Sequence, residues 1–92
     1  MGKAAPKAKI TLDKERTMIM DLNALEAFED ATGKRVQDIG ENPGVKDLKY
    51  LVWSCLIHED EKLKPSDVGK WIHPNNMEKV AAKISDMLEK NA

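Results

Sequence analysis

The sequence predicts a mainly α fold: a small helical domain of about four helices with a short N-terminal β-hairpin. Three observations predict it. Two stretches, about 45–59 and about 75–90, repeat apolar residues with the helical period. Gly33 and Pro65 stand where helices stop and start. Around 10–12 and 18–20, apolar and polar residues alternate as they do in strands. With 92 residues, 41% hydrophobic and 34% charged, the chain suits one domain with a small core and is too apolar for full disorder.

Residues 1–9 carry Lys3, Lys7 and Lys9 with only alanine as apolar material around Pro6. Nothing there offsets the entropy of ordering, so a flexible basic tail is expected, followed by a single helical domain over 10–92. Ile10 and Leu12, then Met18 and Met20, alternate with other residues on either side of the charged run Asp13–Arg16. This reads as a hairpin over 10–20 with that run as its loop.

A first helix is expected over about 22–33. Asn23, with Glu26 three residues on, fits a reciprocal N-cap, and Gly33 supplies the left-handed position after the last turn. Ala24, Leu25 and Phe28 share a face, with Leu22 beside Leu25. Residues 34–44 hold Gly40, Pro43 and Gly44 and read as a loop that Val36 and Ile39 hold to the body.

The second helix, about 45–59, is apolar in two sectors at 100° per residue. One holds Val45, Leu48, Leu51, Val52, Cys55 and Leu56; the other holds Tyr50, Trp53 and Ile57. Only a narrow strip with Asp47, Ser54 and His58 is polar, so this helix must be covered on most sides and is the hub of the fold or of an assembly. A short third helix, about 65–72, opens on Pro65 with Asp67 near its positive end and spaces Val68, Trp71 and Ile72 for one face, weakened by Gly69. The fourth, about 75–90, carries Met77, Val80, Ala81, Ile84, Met87 and Leu88 on one arc.

Chemistry-bearing patterns are sparse. The single cysteine, Cys55, excludes an internal disulfide and sits mid-helix among apolar neighbours, where a thiol stays protonated and inert. His58 and His73 lie far apart, and HEDE at 58–61 points its side chains to different sides of a helix end. A capping role of His58 at the helix C-terminus is therefore preferred over metal ligation. The glycines follow no phosphate-binding pattern. No enzyme activity, cofactor or metal is expected.

Fifteen basic against sixteen acidic residues disfavour nucleic acid as a partner. A helix-turn-helix over 65–84 is the alternative reading, but its second helix presents Glu78, Lys79, Lys83, Asp86 and Glu89, a mixed surface rather than a basic one. No apolar run approaches the roughly 20 residues of a membrane span, and the start MGKAAPKAK lacks both the apolar core of a signal peptide and a myristoylation pattern. A soluble, unanchored protein is expected.

Two surfaces offer themselves to a partner. Glu26, Glu29 and Asp30 place three acids on one face of the first helix. They form either a solvated face or a docking strip for a basic segment. Tyr50, Trp53, Ile57 and Trp71 are apolar groups in excess of what three other short helices can bury, which also raises self-association.

Residues 10–90 resemble the tail assembly chaperones of long-tailed bacteriophages and the related gene transfer agents. The resemblance rests on Asn23-Ala24-Leu25 followed by Glu29-Asp30 and Gly33 after a short β-type lead-in. It continues through Leu48-Lys49-Tyr50-Leu51-Val52-Trp53 with Leu56, His58, Glu59 and Asp60, then Leu63 and Val68-Gly69. Lys64 departs from it, since such sequences often carry a capping Thr or Ser before the proline. The resemblance implies a non-enzymatic protein of the host cytoplasm, absent from the mature virion. It would bind the tape measure protein, keep it soluble and assist tail tube subunits to assemble round it, as a homo-oligomer. The competing class is a small adaptor or a DNA-binding regulator of helix-turn-helix type.

Overall fold

The computed structural model describes residues 5–39 and 43–90. Their order is β1 (Lys7–Thr11), β2 (Glu15–Ile19), α1 (Leu22–Thr32), a 3₁₀ turn (Val36–Asp38), α2 (Val45–Leu56), α3 (Pro65–Trp71) and α4 (Met77–Lys90). The fold is therefore the expected one, four helices behind a two-stranded antiparallel hairpin. No helix among the described residues is long and apolar enough to cross a membrane.

The hairpin begins earlier than composition suggests. Residues 7–9, read as flexible tail, form most of β1, which pairs Lys7 with Ile19, Ala8 with Met18 and Ile10 with Arg16. The Met20 N–H extends the ladder to the Pro6 carbonyl at 2.9 Å. Backbone pairing, which composition does not register, orders these lysine-rich residues. Residues 1–4 of the expected tail lie outside the described residues.

The loop of the hairpin is Leu12–Lys14, so Glu15 and Arg16 belong to β2 rather than to the turn. Strand alternation then puts Arg16 on the same inward side as Met18 and Met20, and it is only 8% exposed. Ile19 faces the other way.

Asp21, not Asn23, caps α1: its side chain accepts the Ala24 N–H at 2.9 Å, and Asn23 lies exposed in the first turn. Both residues are good caps. The choice falls to Asp21 because β2 hands the chain directly into the helix. Gly33 closes α1 at φ 75°, its N–H donating to the Glu29 carbonyl at 2.7 Å, the conformation a side chain resists. Val36 then tucks into the core with Ile39 half-buried beside it.

α2 is the hub, in contact with α1, α3 and β2. Leu48, Leu51, Val52, Cys55 and Leu56 are buried as expected, but Val45 is 71% exposed and Ser54 is buried. Ser54 is tolerated inside because its hydroxyl donates to the Leu51 carbonyl at 2.8 Å. α1 runs antiparallel beside α2: Lys34, just past α1, pairs with Asp47 of the first turn of α2 at 3.2 Å, while the start of α1 meets the end of α2. α4 packs on β1 and sends Val80, Ile84 and Met87 into the core.

α2 stops at Leu56, short of the expected Glu59. The turn that follows carries His58 and Glu59 to the outer edge of β2. There the Thr17 N–H donates to Glu59 Oε2 at 3.0 Å, and the Thr17 carbonyl accepts from His58 Nε2 at 2.7 Å. His58 therefore caps a strand edge and not the helix end: two side chains satisfy backbone groups that a third strand would otherwise take.

Candidate partner-binding surface

The end of β2, the start of α1 and the end of α2 leave an open cleft of about 340 Å³ between them. Ile19, Ala24, Trp53 and Ile57 supply its apolar lining, and Asp21, Asn23, His58 and Glu61 its polar rim. Trp53 is held rigidly. Its indole N–H donates to the Leu63 carbonyl at 2.8 Å, and the Tyr50 ring meets it edge to face with centroids 6.3 Å apart. Both contacts fix the ring while leaving one side for the cleft.

The residues expected to form one apolar wall thus divide. Trp53 and Ile57 line the cleft. Tyr50 supports Trp53 from behind, flanked by the Lys49 ammonium 5.4 Å and the Lys46 ammonium 6.0 Å from its ring centroid. Trp71 belongs elsewhere: the Arg16 guanidinium stacks over it at 4.4 Å, so it is covered by a residue of β2 and does not line this cleft. Glu26, Glu29 and Asp30 are exposed along α1, outside the cleft. The acids that do rim it, Asp21 and Glu61, were missed because tertiary contact alone brings them together. Ile19 carried a readable signal, an apolar residue on the outward side of a strand.

Arg16 gathers a second cluster. Its Nε and Nη2 grip Asp13 Oδ1 and Oδ2 at 2.7 and 2.9 Å, and its Nη1 lies 3.6 Å from Glu59 Oε1. The hydrogen bond from Arg16 holds the Asp13 carboxyl below its usual range. With one face of the guanidinium on Trp71 and its edge N–H groups turned to Asp13 and Glu59, the cluster is a structural clasp that ties the hairpin to the turn after α2 and to α3.

Burial pushes the Cys55 thiol up to about 12, so no thiolate is present near neutrality. A thiol reagent at about pH 8 is expected to leave Cys55 unmodified in the folded protein and to label it fully in denaturant. Labelling of the native protein at the rate of a free thiol would overturn the buried placement. Among the described residues no three His, Cys, Asp or Glu side chains are grouped to hold a metal ion. α4 turns Glu78, Lys79, Lys83, Asp86 and Glu89 outward, a surface of mixed sign.

Comparison of the chain with known protein families, with curated proteins and with solved structures found no match. The cleft must therefore be read from its own chemistry.

Proposed function

We propose that this protein is a tail assembly chaperone of the phage type, a binding protein that receives an amphipathic helix of a tape measure protein and keeps it soluble. The observation that carries the reading is the open cleft lined by Ile19, Ala24, Trp53 and Ile57 with Asp21 and Glu61 at its rim. Apolar clefts of this kind accept the i, i+3, i+4 side chains of a helix, and a rim of one charge sign orients it. Two segments of the resemblance, Asn23–Leu25 and Leu48–Trp53, meet at this cleft through Asn23, Ala24 and Trp53. Glu26, Glu29 and Asp30 extend the negative charge along α1, where they steer lysine-bearing helices and raise the association rate more than the affinity.

The same reading makes tail tube subunits secondary partners, the host cytoplasm the place of action and the mature virion free of the protein. Co-expression with a tape measure fragment tests it. The fragment is expected in the soluble fraction with the wild-type chain, and in the pellet with Trp53→Ala or Ile57→Glu proteins that keep their helical circular dichroism. A fragment equally insoluble with and without the wild-type chain overturns the function. Full rescue by both folded variants overturns the surface.

A further inference from the structure

The hairpin has two edges, and side chains close only one of them. On β2, Glu59 and His58 take the Thr17 N–H and carbonyl. Thr17 pairs with Lys9, and the two members of an antiparallel pair turn their backbone groups either toward each other or both away. Those of Thr17 point away from β1, so those of Lys9 point away from β2. The bond from the Met20 N–H to the Pro6 carbonyl fixes the same alternation. Pro6, Ala8 and Ile10 thus face β2, while Lys7, Lys9 and Thr11 offer N–H and carbonyl groups to the outer edge of β1. Among the described residues, no group bonds to those of Lys9 and Thr11.

A hollow of about 380 Å³ follows this edge, with the consecutive β1 residues Lys9, Ile10 and Thr11 on one wall and Lys79 and Lys83 of α4 on the other. Lys7, Lys9, Lys79 and Lys83 are all exposed, and none is in an ion pair among the described residues. Glu15, opposite Thr11 at the turn, is the one acid lining the hollow. Lysine on an edge ordinarily keeps other strands away. Here it repels a basic strand, or the same edge of a second copy, but an acidic strand meets four uncompensated positive charges.

We propose that β1 takes an extended acidic segment of a partner protein as a third strand of the hairpin. An added strand sets one series of alternate side chains beside Lys7 and Lys9 and the other over α4, toward Lys79 and Lys83. Carboxylates on both faces of the segment are therefore matched. The backbone bonds of Lys7, Lys9 and Thr11 supply affinity, and the lysines select the partner and orient its approach. None of these residues lines the cleft beside Trp53, so the two surfaces are separate sites.

The test uses the full chain and a fluorescein-labelled peptide of about six residues alternating glutamate and valine, the length of an ordinary strand. Fluorescence anisotropy is expected to show binding that weakens in high salt. On binding, the Lys9 and Thr11 amides are expected to exchange with solvent about tenfold more slowly or better, because they become ladder donors. The same peptide N-methylated throughout keeps its charge and loses its donors. It is expected to bind about tenfold more weakly or worse. Lys79→Glu/Lys83→Glu alters exposed positions only and is expected to weaken the glutamate peptide by a similar factor while its helical circular dichroism is kept.

Absence of binding at low salt overturns the proposal. Equal binding of the N-methylated peptide, or binding without protection of Lys9 and Thr11, also overturns it, because charge alone then holds the peptide. A lysine-valine peptide that binds as well as the glutamate one, or a folded double variant with wild-type affinity, removes the acidic partner. A thymidine oligonucleotide that binds more tightly than the peptide assigns the lysines to nucleic acid and overturns the proposal equally.

Discussion

Replacing Leu51 or Leu56 by alanine is expected to lower the free energy of unfolding by about 2–5 kcal/mol, because each removes a large side chain from a site with no exposure and leaves a cavity. Both lie on α2, which α1, α3 and β2 all touch, so the surrounding elements cannot close on the gap without moving one another. A domain of this size has roughly 5 kcal/mol of total stability, and either change consumes a large part of it. Val45→Ala on the same helix provides the contrast. At 71% exposure it is expected to shift stability by less than about 0.5 kcal/mol. Urea denaturation reads all three as midpoints at constant slope. Equal midpoints for Leu51→Ala, Leu56→Ala and wild type would show that α2 is not the hub.

That contrast also marks what periodicity can and cannot reveal. The 3.6-residue repeat places Leu48, Leu51, Val52, Cys55 and Leu56 inside, and Val80, Ile84 and Met87 likewise, because a helix with one apolar face has one way to lie on a core. It also assigns Val45 to that face, although Val45 opens the helix at a corner where no other element covers it. Local signals that depend on a single residue, Gly33 after α1 and Pro65 opening α3, were equally readable. What stayed hidden depends on segments distant in the chain. β1 takes in Lys7–Lys9 because β2 offers it hydrogen bonds, and α2 ends early because His58 and Glu59 are held by Thr17, some forty residues before them. The cleft was half legible. Trp53 and Ile57 follow from an excess of apolar residues on α2, whereas Asp21 and Glu61 join them only once α1 and α2 are set antiparallel. Trp71 was misassigned for the same reason, since its cover is an arginine on a strand that reads as a loop.

Substitution of that arginine is expected to be the most damaging change outside the apolar core. Arg16→Ala removes two hydrogen bonds to Asp13, the ion pair to Glu59 and the cover over Trp71. With both carboxylates about a third exposed, water replaces part of what is lost, and the destabilisation is expected at about 1.5–3 kcal/mol. Arg16→Met keeps an apolar stem against the indole while discarding the charge, so it is expected to fall between alanine and wild type. The pH dependence separates the two contributions. Asp13 titrates below its usual value of 3.8 in the folded protein because Arg16 hydrogen-bonds its carboxylate. A depressed folded value means stability that is present above the unfolded value and lost as pH falls through the folded one. The midpoint gap between wild type and Arg16→Met is therefore expected to be constant near neutrality, to narrow below about pH 4, and to be smallest once Asp13 is protonated in both states. The gap between Arg16→Met and Arg16→Ala, which is packing alone, should not move over that range. If the first gap is the same at about pH 2.5 as at pH 7, the clasp holds the hairpin by packing and its ion pair contributes nothing to stability.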